Sequence, residues 1–134
     1  MGRTSVFVTS LYETVGGTPF FERLVDRFYD GVVSDDVLLP LYPEPNDLTG
    51  ARHRLTLFLV QYWGGPTTYS DERGHPRLRQ RHFPFAIGER EKDHWLMHMQ
   101  SAIAEVSPSD EVRKQLSEYV VNAASHLVNQ PPSA

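Results

Sequence analysis

Several stretches of the chain repeat apolar residues at the period of an α-helix, and Gly and Pro residues separate them. The first extends from about Pro19 to Val33, and Thr18 is a suitable N-cap for it. Pro19 fits the first helical position, because a backbone N–H there would lack a partner in any case. The apolar stripe comprises Phe20, Phe21, Leu24, Val25, Phe28, Val32 and Val33. A long amphipathic helix is therefore predicted.

A second helix is predicted from about Ala51 to Trp63, ended by the glycines and proline at 64–66. Residues 34–50 contain several prolines, which exclude a long helix there. Residues 67–74 are polar and are predicted to form a loop. The apolar side of this second helix comprises Ala51, Leu55, Phe58, Leu59, Tyr62 and Trp63.

Three further helices are predicted in the second half of the chain. One extends from Pro76 to about Phe83, because Pro84 disfavours helical geometry just before it. Another covers residues 89–106, and the last begins with a capping box from Ser107 to Asp110 and ends near Val128. Period-two alternation is never sustained, so the sequence predicts an all-α fold with short connections.

Composition narrows the class of protein. The 134 residues suit one domain, which we assign to residues 11–129, with a flexible extension at 1–10 and a disordered tail at 130–134. A net charge of -4 gives no reason to expect nucleic acid as a partner, and no apolar run is long enough to span a membrane. The chain contains no cysteine, which excludes thiolate sites and fits a cytoplasmic location. The sequence does not indicate an oligomeric state.

His82 is the most informative candidate for metal chemistry. Apolar rings follow it directly, and four arginines precede it within nine positions: Arg73, Arg77, Arg79 and Arg81. An imidazole bordered by apolar rings and cations suits haem. The imidazole nitrogen can bind the iron, the apolar rings can pack on the porphyrin, and the cations can face its carboxylates. On spacing alone, a solvated or capping histidine and a solvated arginine face are the commoner interpretations.

His94 and His98 form a competing pair, since residues four apart on a helix can chelate zinc. The glutamate of the metalloprotease motif is absent between them, which favours surface histidines beside a buried Trp95. Tyr29, Tyr42 and Trp95 also occupy positions where buried apolar residues are expected. Either their polar tips reach the surface, or their three donors converge on one ligand.

The sequence resembles the group II truncated haemoglobins over nearly its whole length, from Leu11 to Asn129. The motifs that carry the resemblance are Val15-Gly16-Gly17, Arg27-Phe28-Tyr29, Leu41-Tyr42-Pro43-Glu44, Phe58 to Pro66, Tyr69-Ser70, Arg73 to Arg79, Arg81 to Phe85, Trp95 and Leu127-Val128-Asn129. One departure is that Pro45 and Asn46 lengthen the stretch after Tyr42, which affects the approach of Tyr42 to a ligand.

The resemblance implies a truncated globin fold, a two-over-two helical sandwich around haem b, with His82 as the iron ligand. It implies that Tyr29, Tyr42 and Trp95 are the distal donors that act in catalysis. Ala51, Leu55 and Phe58 would line the haem cavity, and Tyr69 and Arg81 would contact the propionates. Since neither Ala51 nor Leu55 offers a second strong ligand, the iron would stay open to O2, NO, CO or peroxide.

The sequence is therefore compatible with three functions. Donors that retain oxygen favour redox chemistry on the bound gas, either dioxygenation of nitric oxide to nitrate or a peroxidase-like reaction, with electrons from an unidentified reductase. The alternative is reversible oxygen storage, sensing or transport. The third is a haem-free helical module with zinc at His94 and His98.

Overall fold

A computed structural model describes residues 10–77, 81–82 and 85–130, which form six α-helices and one 3-10 turn at Leu39–Leu41. No strand occurs within these ranges, as the sequence predicts. None of the helices described is long and apolar enough to cross a membrane. The α-helices are α1 Leu11–Thr14, α2 Thr18–Val32, α3 Thr49–Tyr62, α4 Thr68–Arg73, α5 Glu89–Val106 and α6 Asp110–Leu127.

The core forms where helix α2 contacts both α3 and α5, while α6 packs on α5. Phe21 and Phe28 of α2 have no exposed surface, and Ile103 of α5 is equally buried. Burying an aromatic or aliphatic side chain of this size contributes about 1.5–3 kcal/mol each. The pairs α2–α3 and α5–α6 make up the two-over-two sandwich that the sequence predicts.

Two predictions about local structure are wrong. Residues 67–74 are not simply a loop, because α4 forms there. The Gln61 amide accepts from the Ser70 backbone N–H at 2.9 Å and donates to the Ser70 hydroxyl at 2.8 Å, and Tyr69 is buried. Contacts with α3 therefore hold a helix that the polar sequence of α4 does not indicate.

The predicted caps also differ. Ser109, not Ser107, caps α6, since its hydroxyl accepts from the Val112 N–H at 3.2 Å. The Ser107 hydroxyl instead donates to the Ile103 carbonyl at the end of α5. Gly17 is the N-cap of α2, and the Thr18 hydroxyl pairs with the Tyr12 phenol at 2.9 Å. Ser10 caps the short helix α1, which the sequence analysis does not predict.

Of the predicted helix from Pro76 to Phe83, Arg81 and His82 are helical, and the Arg81 N–H donates to the Arg77 carbonyl at 3.0 Å. Residues 78–80 and 83–84 lie outside the described residues, as do the predicted extension before Ser10 and the tail after Gln130.

Candidate functional site

A cavity of about 420 Å³ lies among α2, α3, α4, α5, α6 and the segments 38–43, 81–82 and 85–87. Its size falls in the range of small-molecule and cofactor sites. All of the site residues predicted from sequence line it: Tyr29, Tyr42, Ala51, Leu55, Phe58, Tyr69, Arg81, His82 and Trp95. The fold thus brings together residues that are widely separated along the chain.

Three hydrogen-bond donors gather in one aromatic cluster. Tyr29 of α2 is 3% exposed, and its ring lies 5.7 Å from the ring of Tyr42, which follows the 3-10 turn. Phe28 joins them to α5, since its ring centroid is 4.9 Å from Tyr29 and 5.5 Å from Trp95. These edge-to-face contacts hold each ring against its neighbour. The distal donors implied by the sequence are therefore neighbours in the fold.

Both phenols of this cluster stay protonated at neutral pH. Burial raises the pKa of Tyr29, although interaction with Tyr42 and nearby arginines partly opposes it. Burial raises the pKa of Tyr42 even more strongly, and the Tyr29 phenol adds to that effect. A protonated phenol carries an O–H donor. Each side chain therefore carries one O–H group, which can donate a single hydrogen bond inside the cavity.

The guanidinium of Arg52 lies 5.3 Å from the centroid of the Tyr29 ring, and its Nη1 donates to the Asp26 carboxylate at 3.0 Å. This ion pair joins α3 to α2 over the buried phenol. A cation over the face of an aromatic ring is favourable by roughly 0.5–1 kcal/mol at exposed sites. Arg52 thereby covers Tyr29 from the outside of the fold.

A separate set of contacts surrounds His82. The Phe85 ring lies 6.4 Å from the imidazole centroid. Asn129, beyond the end of α6, donates from Nδ2 to the carbonyls of His82 and Phe85 at 3.1 and 2.8 Å. Its Oδ1 accepts from the Ile87 N–H at 2.9 Å, and its own N–H donates to the Ile87 carbonyl at 2.8 Å. One amide side chain therefore fixes the backbone on both sides of Phe85.

Cationic side chains also line the cavity: Arg54, Arg73, Arg81 and Lys92. Arg81 donates to three backbone carbonyls, those of Arg73, His75 and Pro76, at 2.6–3.4 Å. It also lies 5.9 Å from the ring centroid of Tyr69. Arg81 therefore stabilises the chain that leads into His82, in addition to bringing positive charge to the cavity.

These surroundings fit haem. The cavity has one imidazole, at His82, and apolar or small side chains at Ala51, Leu55 and Phe58. An imidazole nitrogen suits the iron, apolar side chains suit the porphyrin faces, and cations suit its carboxylates. Ala51 and Leu55 carry no group that could ligate a metal. The residues present thus match the group that the sequence resemblance implies.

The competing pair, His94 and His98, has a different role. His94 Nδ1 and His98 Nε2 lie 2.9 and 2.7 Å from the same oxygen of Asp35. Within the part of the chain that the structure describes, no group of three ligating side chains could hold a metal ion. The expectation of surface histidines is wrong for His98, because its side chain is only 18% exposed.

Sequence reasoning missed several side chains that line the cavity. Arg54 of α3, Lys92 of α5 and Tyr119 of α6 line the cavity, although no motif of the sequence marks them. Lys92 is held by Glu89 at 2.9 Å, and this carboxylate raises the pKa of Lys92. No local pattern marks these residues, because only the packing of α3, α5 and α6 around the cavity brings them to it.

Comparisons with known proteins agree with this geometry. The family model described as bacterial-like globin matches residues 10–129. The chain is 41% identical to the Group 2 truncated hemoglobin YjbI of Bacillus subtilis over 119 residues, which cover 89% of this chain and 88% of that protein.

Solved structures give the same result. A thermostable hemoglobin from the actinobacterium Thermobifida fusca is 54% identical, with a TM-score of 0.89 over 92% of this chain and 100% of that one. A truncated oxygen-avid haemoglobin from Bacillus subtilis is 40% identical, with a TM-score of 0.83 over 90% of this chain and 100% of that one. The chain therefore belongs to the bacterial-like globin family, as a group II truncated haemoglobin that contains haem and binds gaseous ligands.

Proposed function

We propose that His82 would ligate the iron of haem b, and that Tyr29, Tyr42 and Trp95 would donate hydrogen bonds to a diatomic ligand bound in the cavity. Ala51, Leu55 and Phe58 would pack on the porphyrin, and Tyr69 and Arg81 would interact with its carboxylates. The observation that carries this proposal is the cluster of three donors in a cavity that also contains one imidazole.

Haem, when bound, supplies an open coordination position for O2, NO or CO and the redox chemistry of its iron. The chain itself supplies fixed donors. Tyr29 is buried and Tyr42 is partly buried, so both phenols act where water competes poorly and a hydrogen bond is stronger. Their raised pKa values keep the protons on the phenols, so that they stabilise negative charge developing on the ligand without losing a proton.

The number of donors favours retention of oxygen over its delivery. A hydrogen bond to a charged or strongly polarised group contributes roughly 1.5–3 kcal/mol. About 1.4 kcal/mol corresponds to a tenfold change in rate, so two such bonds slow oxygen release by at least about a hundredfold. The oxygen-avid relative from Bacillus subtilis is consistent with this reasoning.

A protein that retains oxygen is better suited to consume it than to carry it. We therefore propose dioxygenation of nitric oxide: NO, O2 and one electron give nitrate, so a reductase must return one electron per turnover. A peroxidase-like reaction is the second candidate, because the same donors can assist cleavage of an O–O bond. The absence of cysteine favours a cytoplasmic location, where such reductases are available.

The test is the rate of oxygen dissociation, measured by displacement with carbon monoxide in a stopped-flow spectrometer. Single variants Tyr29→Phe, Tyr42→Phe and Trp95→Phe each remove one donor while keeping the ring. We expect at least one of them to release oxygen about tenfold faster or more. Tyr12→Phe is the matched control, since the Tyr12 phenol pairs with Thr18 and does not line the cavity.

Three outcomes would contradict parts of the proposal. If the purified protein shows no haem spectrum, or if His82→Ala retains the parent spectrum, the assignment of His82 is wrong. If none of the three variants changes oxygen release, the donor roles are wrong. If the parent releases oxygen rapidly and does not convert NO to nitrate with a reducing system present, reversible oxygen storage, sensing or transport is the correct function.

A further inference from the structure

Asp35 is the buried charged residue among the residues that the structure describes, at 8% exposure, and it lies outside the cavity lining. It follows the end of α2. Oδ1 accepts from the backbone N–H groups of Val37 and Leu38 at 2.8 and 3.1 Å. Oδ2 accepts from His94 Nδ1 and His98 Nε2 at 2.9 and 2.7 Å. A single carboxylate thus joins the segment after α2 to helix α5.

The hydrogen bonds of Asp35 determine the protonation states of the carboxylate and the two imidazoles. An ionised carboxylate only accepts hydrogen bonds, so His94 must donate through Nδ1 and His98 through Nε2. Burial opposes ionisation of Asp35, but the hydrogen bonds from the two histidines and two backbone N–H groups hold its pKa below the ordinary value. The carboxylate is therefore ionised at neutral pH and its four bonds are charge-assisted.

Each end of the link leads directly to a distal donor. The Leu39 N–H donates to the Asp35 carbonyl at 2.9 Å, and the Tyr42 N–H donates to the Leu39 carbonyl at 3.1 Å. This ladder carries the chain from Asp35 to Tyr42. On the other side, His94 immediately precedes Trp95 on α5. The carboxylate therefore connects the segment that leads to Tyr42 with the helix that carries Trp95.

The absence of a side chain at Gly31 lets the His98 imidazole approach helix α2 closely. A Cβ added at Gly31 would lie 2.2 Å from His98 Nδ1, so the imidazole packs directly on the backbone of α2. Glycine inside a helix is less favourable than alanine. A glycine at this helical position is explained by the imidazole that it admits, and this contact is independent of the hydrogen bonds to Asp35.

We propose that Asp35, with His94 and His98, is a positioning unit that fixes Tyr42 and Trp95 relative to each other, and so sets how firmly the distal pocket holds a diatomic ligand. The proposal rests on the assignment of Tyr42 and Trp95 as ligand donors. None of the three residues of this unit lines the cavity, so they act through the donors and not on the ligand.

The test replaces His98 in two ways. His98→Leu removes the donor, while His98→Gln keeps an N–H close to the position of Nε2. With carbon monoxide bound to the haem-loaded protein, the infrared C–O stretch reports the polar contacts around the ligand. We expect His98→Leu to broaden or split this band and to speed oxygen release by severalfold, up to about tenfold for one lost hydrogen bond. His98→Gln should restore both within about twofold.

Two controls separate positioning from general damage. His53→Leu removes a histidine whose side chain is 59% exposed, and Asp36→Asn removes the exposed carboxylate next to Asp35. Both should leave the C–O band and the oxygen release rate unchanged. The iron–histidine stretch in the resonance Raman spectrum should be the same in His98→Leu and the parent, because Phe85 and Asn129, which contact His82, do not belong to this unit.

The outcomes distinguish the two proposals. If His98→Leu leaves the C–O band and the oxygen release unchanged while Trp95→Phe or Tyr42→Phe alters them, the positioning role is wrong and the donor assignment stands. If no distal variant alters them, the donor assignment itself fails. Should His98→Leu not fold, His94→Leu tests the same link, since that side chain is 37% exposed, with His94→Asn keeping a donor close to Nδ1. Unchanged signals in His94→Leu would then overturn the positioning role.

Discussion

Asn129 offers the sharpest test of how the fold holds His82. Three of its side-chain hydrogen bonds join it to the chain around His82: Nδ2 donates to the carbonyls of His82 and Phe85, and Oδ1 accepts from the N–H of Ile87. Asn129→Ala deletes all three and leaves its own backbone bond to Ile87 in place. Each bond contributes about 0.5–1.5 kcal/mol net. Because the residue is half-buried, water replaces part of that loss.

We therefore expect Asn129→Ala to lower the free energy of unfolding by about 2–3 kcal/mol. At about 4 °C per kcal/mol for a chain of this size, the thermal midpoint should fall by roughly 8–12 °C. Asn129→Asp keeps the acceptor for Ile87 but removes both donated hydrogen bonds. We therefore expect it to lower the free energy of unfolding by more than half as much as Asn129→Ala does.

The assay is thermal unfolding of the haem-loaded protein followed by far-ultraviolet circular dichroism. A second readout is the rate at which haem transfers to an excess of apomyoglobin, which should rise in Asn129→Ala because the backbone of His82 is no longer anchored. Asn122→Ala is the matched control, since it removes the same amide from an exposed position on α6.

Equal thermal midpoints for Asn129→Ala and Asn122→Ala would refute the reasoning on stability. A large fall in the midpoint with unchanged haem transfer would show that Asn129 stabilises the fold without positioning His82. Either result would remove Asn129 from the description of the haem site.

Two further predictions concern the link between α2 and α5. Gly31→Ala should destabilise the protein by about 1–3 kcal/mol despite the better helix propensity of alanine, because the new methyl group overlaps His98; a midpoint in thermal unfolding at or above that of the parent would contradict this. Asp35→Asn should cost about 1.5–3 kcal/mol at pH 7. Since the folded pKa of Asp35 is lowered, its contribution is complete above the ordinary pKa and is lost as the pH falls through the folded value. Urea unfolding should therefore show a difference between variant and parent that shrinks from pH 7 to pH 3, and a constant difference would exclude ionisation as its source.

The long helices could be predicted from sequence because their own residues specify them. The apolar stripe of α2 places its ends within one residue of the structure, and the bounds of α5 are as predicted. Helix α4 could not be predicted in this way. Its residues are polar, and the amide of Gln61 that holds Ser70 lies nine residues earlier. A local pattern carries no signal for a partner supplied by another helix.

The candidate site, like the fold, could be predicted only in part from the sequence. The residues with a recognisable motif, among them His82, Tyr42 and Trp95, were expected at the site and line the cavity. The contacts that orient them were not expected. Asp35 lies 59 and 63 residues from the histidines that bind it, and Asn129 lies 47 residues from His82. Such pairings depend on tertiary packing, which periodicity does not report.

The anchoring of His82 by Asn129 has a consequence for biosynthesis. A chain is made from its N-terminus, so Tyr29 and Tyr42 are available to pack long before Asn129 exists. Asn129 follows all six helices described here, and its bonds to the carbonyls of His82 and Phe85 are therefore among the last to form. During synthesis, Tyr29 and Tyr42 are therefore made while the segment around His82 still lacks its bonds from Asn129. With His82 as the proposed iron ligand, we expect firm capture of haem only once synthesis of the chain has ended.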